Sequence, residues 1–488
     1  MTLDARCKQV IEKIRSMGAS YGDIRMHVKD EQESYSTLSG VLQGQDYQSK
    51  SGFGIRVLYN GAWGFASSEN NNDLDAVAQK AVENAKTASM LTSWKIDLAP
   101  KKVFKDQYAS PVNIDPFSVE TGEKIKHLLS VDARIKNDKL MYWGINTAFY
   151  RKEVLYFDTE GAEIQKKLLD IDASMFALAL DKDGEQQRRS YNMPYHAYGT
   201  IGWENLISEA DYTGHASRIT EELLQVCAAP RCEKENTMLI ILPDQMALQT
   251  HETIGHALEL DRILGYELSY AGGSFVDLAD FGKLRYGSDK LTARADATLP
   301  NSPGSFGYDD DGVKAANTVL INNGILENAI TGRQMVTEAN KKAGRTIFTE
   351  SGATNRATSY NRTPIERMTN INIDPGTDGS LDDIIAKCED GLLVDVPVSW
   401  SIGSNRENFH FACEIGWKIK DGKISHIVKN PSYRGNTVEF WNSLKYVGNK
   451  DTWQLQVVFN CGKGQPNQVM RLGHGIPLCA FSNVQVGC

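Results

Sequence analysis

Two histidines and a glutamate lie close together near the middle of the sequence. His251, Glu252 and His256 form the pattern H-E-x-x-x-H, one residue longer than the H-E-x-x-H pattern of zinc proteases. Imidazole nitrogens are common zinc ligands, and a neighbouring carboxylate can act as a general base. Two unrelated histidines on a half-buried helix are the alternative. The combination of all three residues in a chain with nine histidines favours a metal site.

The extra residue in this pattern has a geometric consequence. Residues five apart in an α-helix differ by ~140° around the axis, whereas residues four apart differ by only ~40°. In a regular helix the two imidazoles would therefore converge poorly on one ion. A one-residue bulge of the π type, which is frequent at functional sites, would correct this. We expect Gly255, just before His256, to permit the bulge because glycine is conformationally permissive.

A helix that follows a buried strand must position these residues. The β-branched and apolar run at 237–242 predicts the strand, and Pro243 begins the helix because its first position needs no intrahelical donor. Apolar residues then recur at helical spacing on a face that includes His251, so this histidine is predicted to point inward. These residues are Ala247, Ile254 and Leu258.

Length and turn signals divide the chain into three parts. A length of 488 residues favours about three domains. We predict an N-terminal α+β domain over 1–100, a central helix-plus-antiparallel-meander domain over 112–228, and a β-rich domain over 231–488. Prolines and lysines between 95 and 116 indicate a linker. The predicted fold class is α+β, with N-terminal α/β-type blocks before a large β-rich C-terminal domain that carries the metal-binding helix.

Short motifs predict individual turns. Asn-Gly pairs at 60–61 and 323–324 and Asp-Gly at 421–422 are typical of two-residue hairpin turns. The Asp-Asp-Asp-Gly run at 309–312 lacks the ligand spacing of an EF-hand. We therefore predict a solvated loop there.

Composition excludes several functions. A net charge of −9, without a basic patch, argues against a nucleic-acid or acidic-membrane partner. The first twenty residues contain no apolar signal core, and no run is long enough to span a bilayer, so we predict a cytoplasmic location. The eight cysteines form no C-x-x-C pair and are expected to be reduced thiols.

A third ligand must come from outside the helix, because a catalytic zinc usually has three protein ligands and one open position. Cys461 lies in a turn after a strand-like segment, from which a thiolate could reach the helix. A lone cysteine is otherwise a small buried apolar residue. Spacing alone does not choose among the candidates, which are Glu259, Asp261, His410, Cys413, His426, Cys461, His474 and Cys479.

Five motifs follow one another in the C-terminal part: H-E-T-I-G-H at 251–256 with Leu258, Glu259 and Asp261 after it, F-G-Y-D-D-D-G at 306–312, N-G-I-L at 323–326, R-M-T-N at 367–370 and C-G-K at 461–463. In this order they resemble the TldD/PmbA family of metalloproteases, specifically its TldD-like branch. The resemblance implies Zn²⁺ held by His251, His256 and Cys461, with Glu252 as catalytic base. It implies a peptidase acting on unfolded or flexible peptides.

The resemblance also implies a dimer, formed either with a second copy or with a PmbA-like paralogue. Glu259 and Asp261 are candidates for orienting His256, because metal-bound histidines usually have an outer hydrogen-bond partner. Two other functions stay open from the sequence. One is a non-catalytic scaffold subunit with a structural metal, and the other is a zinc hydrolase of non-peptide amides.

Overall fold

The computed structural model describes residues 2–268 and 272–488, and it confirms a β-rich α+β fold. No helix in these two ranges is long and apolar enough to cross a membrane.

One long sheet organises the first half of the chain. The elements up to residue 228 are α1 (Leu3–Ser16), β1 (Tyr21–Leu38), β2 (Val41–Tyr59), β3 (Ala62–Ser68), α2 (Leu74–Leu91), β4 (Lys105–Ala109), α3 (Thr121–Ile135), β5 (Tyr142–Asp158), β6 (Glu163–Leu180), β7 (Gln186–Asn192), α4 (Trp203–Ile207) and α5 (His215–Ala228). The strand order is β3-β2-β1-β5-β6-β4, with β7 also paired to β6. Every pair is antiparallel except β4 with β6.

This sheet changes the interpretation of the segment between 95 and 116. The segment was predicted as a linker, but β4 lies inside it and extends the sheet by pairing with β6. Strands from the first and second predicted domains belong to the same sheet. The boundaries 1–100, 112–228 and 231–488 stay predictions.

The helices of the first block pack on the sheet through apolar stripes. Helix α1 begins after Thr2, whose side chain accepts a hydrogen bond from the Ala5 amide, as an N-cap residue does. Its buried residues fall at helical spacing: Cys7, Val10, Ile11 and Ile14. Those of α2 are Leu74, Val77, Ala78, Ala81, Val82 and Ala85. Together with strand residues such as Ile24 and Phe53 they form one apolar core.

The three predicted hairpin turns are present. The residues at 60–61, 323–324 and 421–422 all have positive φ, from 45° to 82°, as the two central residues of a type I′ turn require. They connect β2 to β3 and two strand pairs farther along the chain.

The C-terminal half contains many short strands. These are β8 (Glu235–Ile241), β9 (Ala293–Asp296), β10 (Asn317–Asn322), β11 (Ile325–Leu326), β12 (Asn355–Arg356), β13 (Ile365–Glu366), β14 (Ile371–Ile373), β15 (Asp390–Ile402), β16 (Asn408–Lys420), β17 (Lys423–Val428), β18 (Ser432–Asn436), β19 (Leu444–Val447), β20 (Gln454–Lys463), β21 (Gln468–Ile476) and β22 (Cys479–Val486). The helices are α6 (Pro243–Thr250), α7 (Leu260–Ile263), α8 (Arg333–Ala343), α9 (Leu381–Ala386) and α10 (Thr437–Asn442).

Five of these strands close into a ring. The pairing runs β15-β8-β22-β18-β16, and β16 pairs back onto β15. Strand β8 is thereby held between β15 on one side and β22 on the other. Because α6 follows β8 after one residue, this ring fixes the start of the helix. The β20–β21 hairpin packs against α6.

The acidic run at 309–312 is not a solvated loop, and that prediction is wrong. Asp310 and Asp311 are buried because cations of the N-terminal sheet reach them. Arg56 Nη2 lies 2.6 Å from Asp311 Oδ1, and Lys166 Nζ lies 2.9 Å from Asp310 Oδ1. The run therefore joins the third block to the long sheet.

Candidate metal centre

The chain departs from α-helical geometry at the first histidine. Helix α6 is followed by a π-helix over His251–Gly255 and a 3₁₀ turn over His256–Leu258. The His256 amide donates to the His251 carbonyl, which is the i to i+5 bond of a π turn. The predicted π-type irregularity is therefore present. It brings the two imidazole ring centroids to 4.7 Å.

Gly255 has a different role from the one predicted. Its backbone has an ordinary right-handed helical conformation, with φ −54° and ψ −67°, so the bulge does not depend on glycine's conformational freedom. A Cβ at this position would lie 2.1 Å from Met368 Sδ. Glycine therefore leaves room for the buried Met368 side chain of the R-M-T-N segment.

Three predicted ligands converge. His251, His256 and Cys461 are all buried, and each offers a donor atom within 4.8 Å of the other two. Cys461 comes from β20, and its Sγ lies 3.7 Å from His256 Nε2. Burial opposes ionisation of the thiol, but the charges of His256 and Arg367 outweigh it and hold the pKa of Cys461 below its ordinary value. Arg367 also donates to the Cys461 carbonyl.

The other third-ligand candidates lie outside this group of three. His410 and His426 are exposed on β16 and β17. Cys413 and Cys479 are buried thiols whose pKa values burial raises.

His474 lies against His251 and not within the donor group. Its Nε2 is 2.9 Å from His251 Nδ1, and its Nδ1 is 3.0 Å from the Ile371 carbonyl oxygen. Burial and the neighbouring His251 hold the pKa of His474 well below its ordinary value. The sequence placed His474 among the candidate ligands but gave no sign of this contact.

His256 has a charged partner. Its Nδ1 lies 3.0 Å from Glu259 Oε2, which also accepts from Arg262 Nε at 2.7 Å. Burial raises the pKa of Glu259, but Lys463, His256 and Arg262 outweigh that effect and hold it well below the usual value.

Lys463 connects the helix to the strand that carries Cys461. Its fully buried Nζ lies 2.8 Å from Asp261 Oδ1 and 3.3 Å from Glu259 Oε1. Of the two predicted outer residues, Glu259 therefore contacts His256 and Asp261 contacts Lys463. Lys463 was part of the C-G-K motif, but nothing in the sequence indicated a buried ammonium group.

Glu252 is held by an arginine that sequence reasoning missed. Arg406 Nη1 donates to Glu252 Oε2 at 2.7 Å. Arg406 lies in the turn between β15 and β16 and has a positive φ of 67°. Burial lowers the pKa of its guanidinium, although Glu252 and more distant groups including Cys461 oppose the shift. No residue pattern in the turn pointed to this contact.

The donor set fits a zinc ion. Two imidazole nitrogens and one thiolate match the nitrogen and sulfur ligands that zinc prefers. Both histidines use Nδ1 for an outer hydrogen bond, which leaves Nε2 for a metal. Three ligands also correspond to the number at a catalytic zinc.

Known proteins resemble this chain over most of its length. A profile described as "PmbA/TldA metallopeptidase C-terminal domain" matches residues 235–487, and one described as "PmbA/TldA metallopeptidase domain 1" matches residues 22–85. A metalloprotease of Methanocaldococcus jannaschii is 26% identical over 93% of this chain and 94% of its own length. A zinc metalloprotease TldD homolog of Saccharolobus solfataricus is 22% identical over 98% of each chain.

Solved structures share the fold. TldE from Thermococcus kodakarensis aligns with a TM-score of 0.70 at 16% identity over 99% of each chain. A protein from Thermotoga maritima aligns with a TM-score of 0.76 at 14% identity, over 99% of this chain and all of the other. With the C-terminal profile covering more than half of its length, the chain belongs to the PmbA/TldD metallopeptidase family.

Proposed function

We propose that the chain is a zinc-dependent peptidase that hydrolyses unfolded or flexible peptides. In this proposal His251, His256 and Cys461 hold Zn²⁺, and Glu252 is the general base. The observation that carries it is the convergence of these three buried donors within 4.8 Å of one another, with Glu252 next to the first of them in the sequence. The relatives named as metalloproteases support the metallopeptidase part of this proposal.

Zinc, when bound, supplies Lewis acidity that polarises a carbonyl group and acidifies water. Glu252 accepts a proton from water as the water oxygen bonds to the peptide carbonyl carbon. The same carboxyl then gives this proton to the amine nitrogen as the C–N bond breaks. Because Arg406 holds Oε2 of Glu252, we assign the proton to Oε1.

The number of donors bears on the scaffold alternative. A structural zinc is usually closed by four protein ligands, whereas a catalytic zinc has three. In the described part of the chain the group has three members, which favours catalysis. Hydrolysis of a non-peptide amide would use the same groups, so substrate assays must separate that alternative.

Assembly is part of the proposal. By its family, the chain is expected to form a dimer with a second copy or with a PmbA-like paralogue, and to enclose its active site. Such a site would admit extended peptides and exclude folded proteins. Light scattering on the pure protein, with and without the paralogue, measures the assembly. A strict monomer that cleaves folded proteins would contradict this part of the proposal.

The deciding experiment combines metal analysis with proteolysis. The purified protein should carry about one zinc per chain and should digest casein faster than a folded protein or a simple aryl amide. His251→Ala and His256→Ala should each lose zinc and activity, whereas His426→Ala, an exposed histidine on β17, should keep both. Full zinc occupancy in both site variants would overturn the assignment.

A further inference from the structure

The proton positions around His474 follow from its two contacts. His474 is fully buried, and its Nδ1 lies 3.0 Å from the Ile371 carbonyl oxygen. A carbonyl can only accept a hydrogen bond, so this contact requires a proton on Nδ1. In a neutral imidazole the other nitrogen is then an acceptor.

The acceptor nitrogen of His474 determines which nitrogen of His251 carries the proton. His474 Nε2 lies 2.9 Å from His251 Nδ1, so His251 must donate from Nδ1. The lone pair of a neutral His251 is then on Nε2, the nitrogen left for a metal. In the reverse arrangement of two neutral rings, His474 Nδ1 would be an acceptor facing the Ile371 carbonyl oxygen. The proton of His251 would then be on Nε2, which would leave no lone pair there for a metal.

The strands hold this chain of hydrogen bonds in place. His474 lies on β21, and Ile371 lies on β14, which packs against both β21 and the π-helix. The rings of His251 and His474 stand at 89° to each other with centroids 5.1 Å apart. A chain of two hydrogen bonds therefore connects the backbone carbonyl of Ile371, through His474, to the proposed ligand His251.

We propose that His474 is a positioning residue that fixes the tautomer and ring orientation of His251 for metal binding. The inference rests on the proposed metal-binding role of His251, but not on the reaction that the metal serves. Outer hydrogen-bond partners of this kind typically change metal affinity by about 10- to 100-fold when removed. Here the partner is a neutral imidazole instead of the more usual carboxylate or carbonyl.

Three substitutions separate the two contacts of His474. His474→Gln keeps an acceptor near the position of Nε2, His474→Asn keeps a donor near Nδ1, and His474→Leu keeps neither. Zinc affinity, measured by competition with a chelator, should fall about 10- to 100-fold in the Leu variant. The Asn variant should resemble the Leu variant, and the Gln variant should retain most of the affinity.

His27→Leu is the matched control. His27 is also buried, and its Nδ1 lies 3.3 Å from Asp30 Oδ2 in the N-terminal sheet. This variant should lose a buried imidazole without changing zinc affinity. Thermal unfolding of the metal-free proteins should show that every variant compared is folded.

Cobalt substitution distinguishes a positioning residue from a ligand. The cobalt-loaded Leu variant should still show the thiolate charge-transfer band in its absorption spectrum. Its spectrum should also indicate the same coordination number as in the wild type, although the variant binds cobalt with lower affinity. Loss of a nitrogen ligand from the spectrum would make His474 a ligand and overturn the proposal. So would wild-type zinc affinity in the Leu variant, or an Asn variant that binds better than the Gln variant. None of these results depends on peptidase activity, so failure of the inference is separable from failure of the proposed function.

Discussion

The two helix histidines are supported in opposite ways. His251 donates to a neutral imidazole, His474, which in turn donates to a main-chain carbonyl. His256 contacts the carboxylate of Glu259, which is surrounded by Arg262 and Lys463. Both arrangements leave Nε2 of the ligand available. One does so with hydrogen bonds between neutral groups, and the other with a buried ionic network.

The difference predicts different sensitivities. A neutral hydrogen bond contributes about 0.5–1.5 kcal/mol to stability, whereas removing one member of a buried ion pair costs about 3–5 kcal/mol because a charge is left unpaired. The two supports also reach opposite strands of one hairpin: His474 lies on β21 and Lys463 on β20. The hairpin therefore supports both histidines, but only its support of His256 is ionic.

Lys463→Met should have the largest effect. It leaves Glu259 and Asp261 buried without the ammonium group between them, so the free energy of unfolding should fall by about 3–5 kcal/mol. Zinc affinity should fall as well, because Cys461 and His256 lose their connection. Chemical denaturation and chelator competition measure the two effects.

A second buried lysine provides the control for Lys463. Lys429 pairs with Asp181 and Asp183 away from the donor group. Lys429→Met should lower stability and leave zinc affinity unchanged. Equal zinc affinity in the two lysine variants would mean that the ionic network does not support the metal site.

Glu252→Gln should abolish most activity without disturbing either support. The amide keeps the size of the side chain but cannot accept the proton, so hydrolysis should fall at least about 100-fold. Zinc content should stay near that of the wild type, whereas the melting temperature should fall because the buried Arg406 loses the opposite charge of Glu252. Cys461→Ser should instead lose zinc and activity together, because a neutral hydroxyl is a poor ligand. A Glu252→Gln protein that loses zinc, together with a Cys461→Ser protein that keeps both metal and activity, would show that both role assignments are wrong.

Glu259→Gln isolates the charge of the His256 support. The amide oxygen can still accept from His256 Nδ1, but the negative charge between Arg262 and Lys463 is lost. We expect zinc affinity to fall by about 10- to 100-fold, with a smaller loss of stability than in Lys463→Met. Isothermal competition assays on this variant and on His474→Leu compare the two supports directly. The comparison would fail if only His474→Leu changed stability.

Asp261→Asn should have the smallest effect. Asp261 contacts Lys463 and not His256, and burial together with Glu259 raises its pKa although Lys463 opposes the shift. A neutral side chain is therefore tolerated, and zinc affinity should change by less than about tenfold, below the usual range for a direct partner of a ligand. A loss of zinc affinity equal to that of Glu259→Gln would mean that both carboxylates support the metal site equally.

The sequence predicted the local features of the site and not its long-range contacts. The π irregularity followed from the spacing of His251 and His256, and the three hairpin turns followed from Asn-Gly and Asp-Gly pairs. The contacts of His474, Lys463 and Arg406 could not be derived, because they depend on how β15, β20 and β21 return to the helix. Asp311 was misjudged because its partner, Arg56, lies on β2 of the N-terminal sheet, 255 positions away along the chain.

The distance along the chain between the donors has a consequence for synthesis. His256 and Cys461 are 205 positions apart, and β8 must pair with β22, which follows Cys461. At about 5–20 residues per second, a ribosome needs roughly 10–40 s to make the intervening chain. During that interval the helix has emerged with its histidines and Glu259 but without its thiol or its lysine. The nascent protein therefore cannot assemble its metal site until β20, with Cys461 and Lys463, has been synthesised.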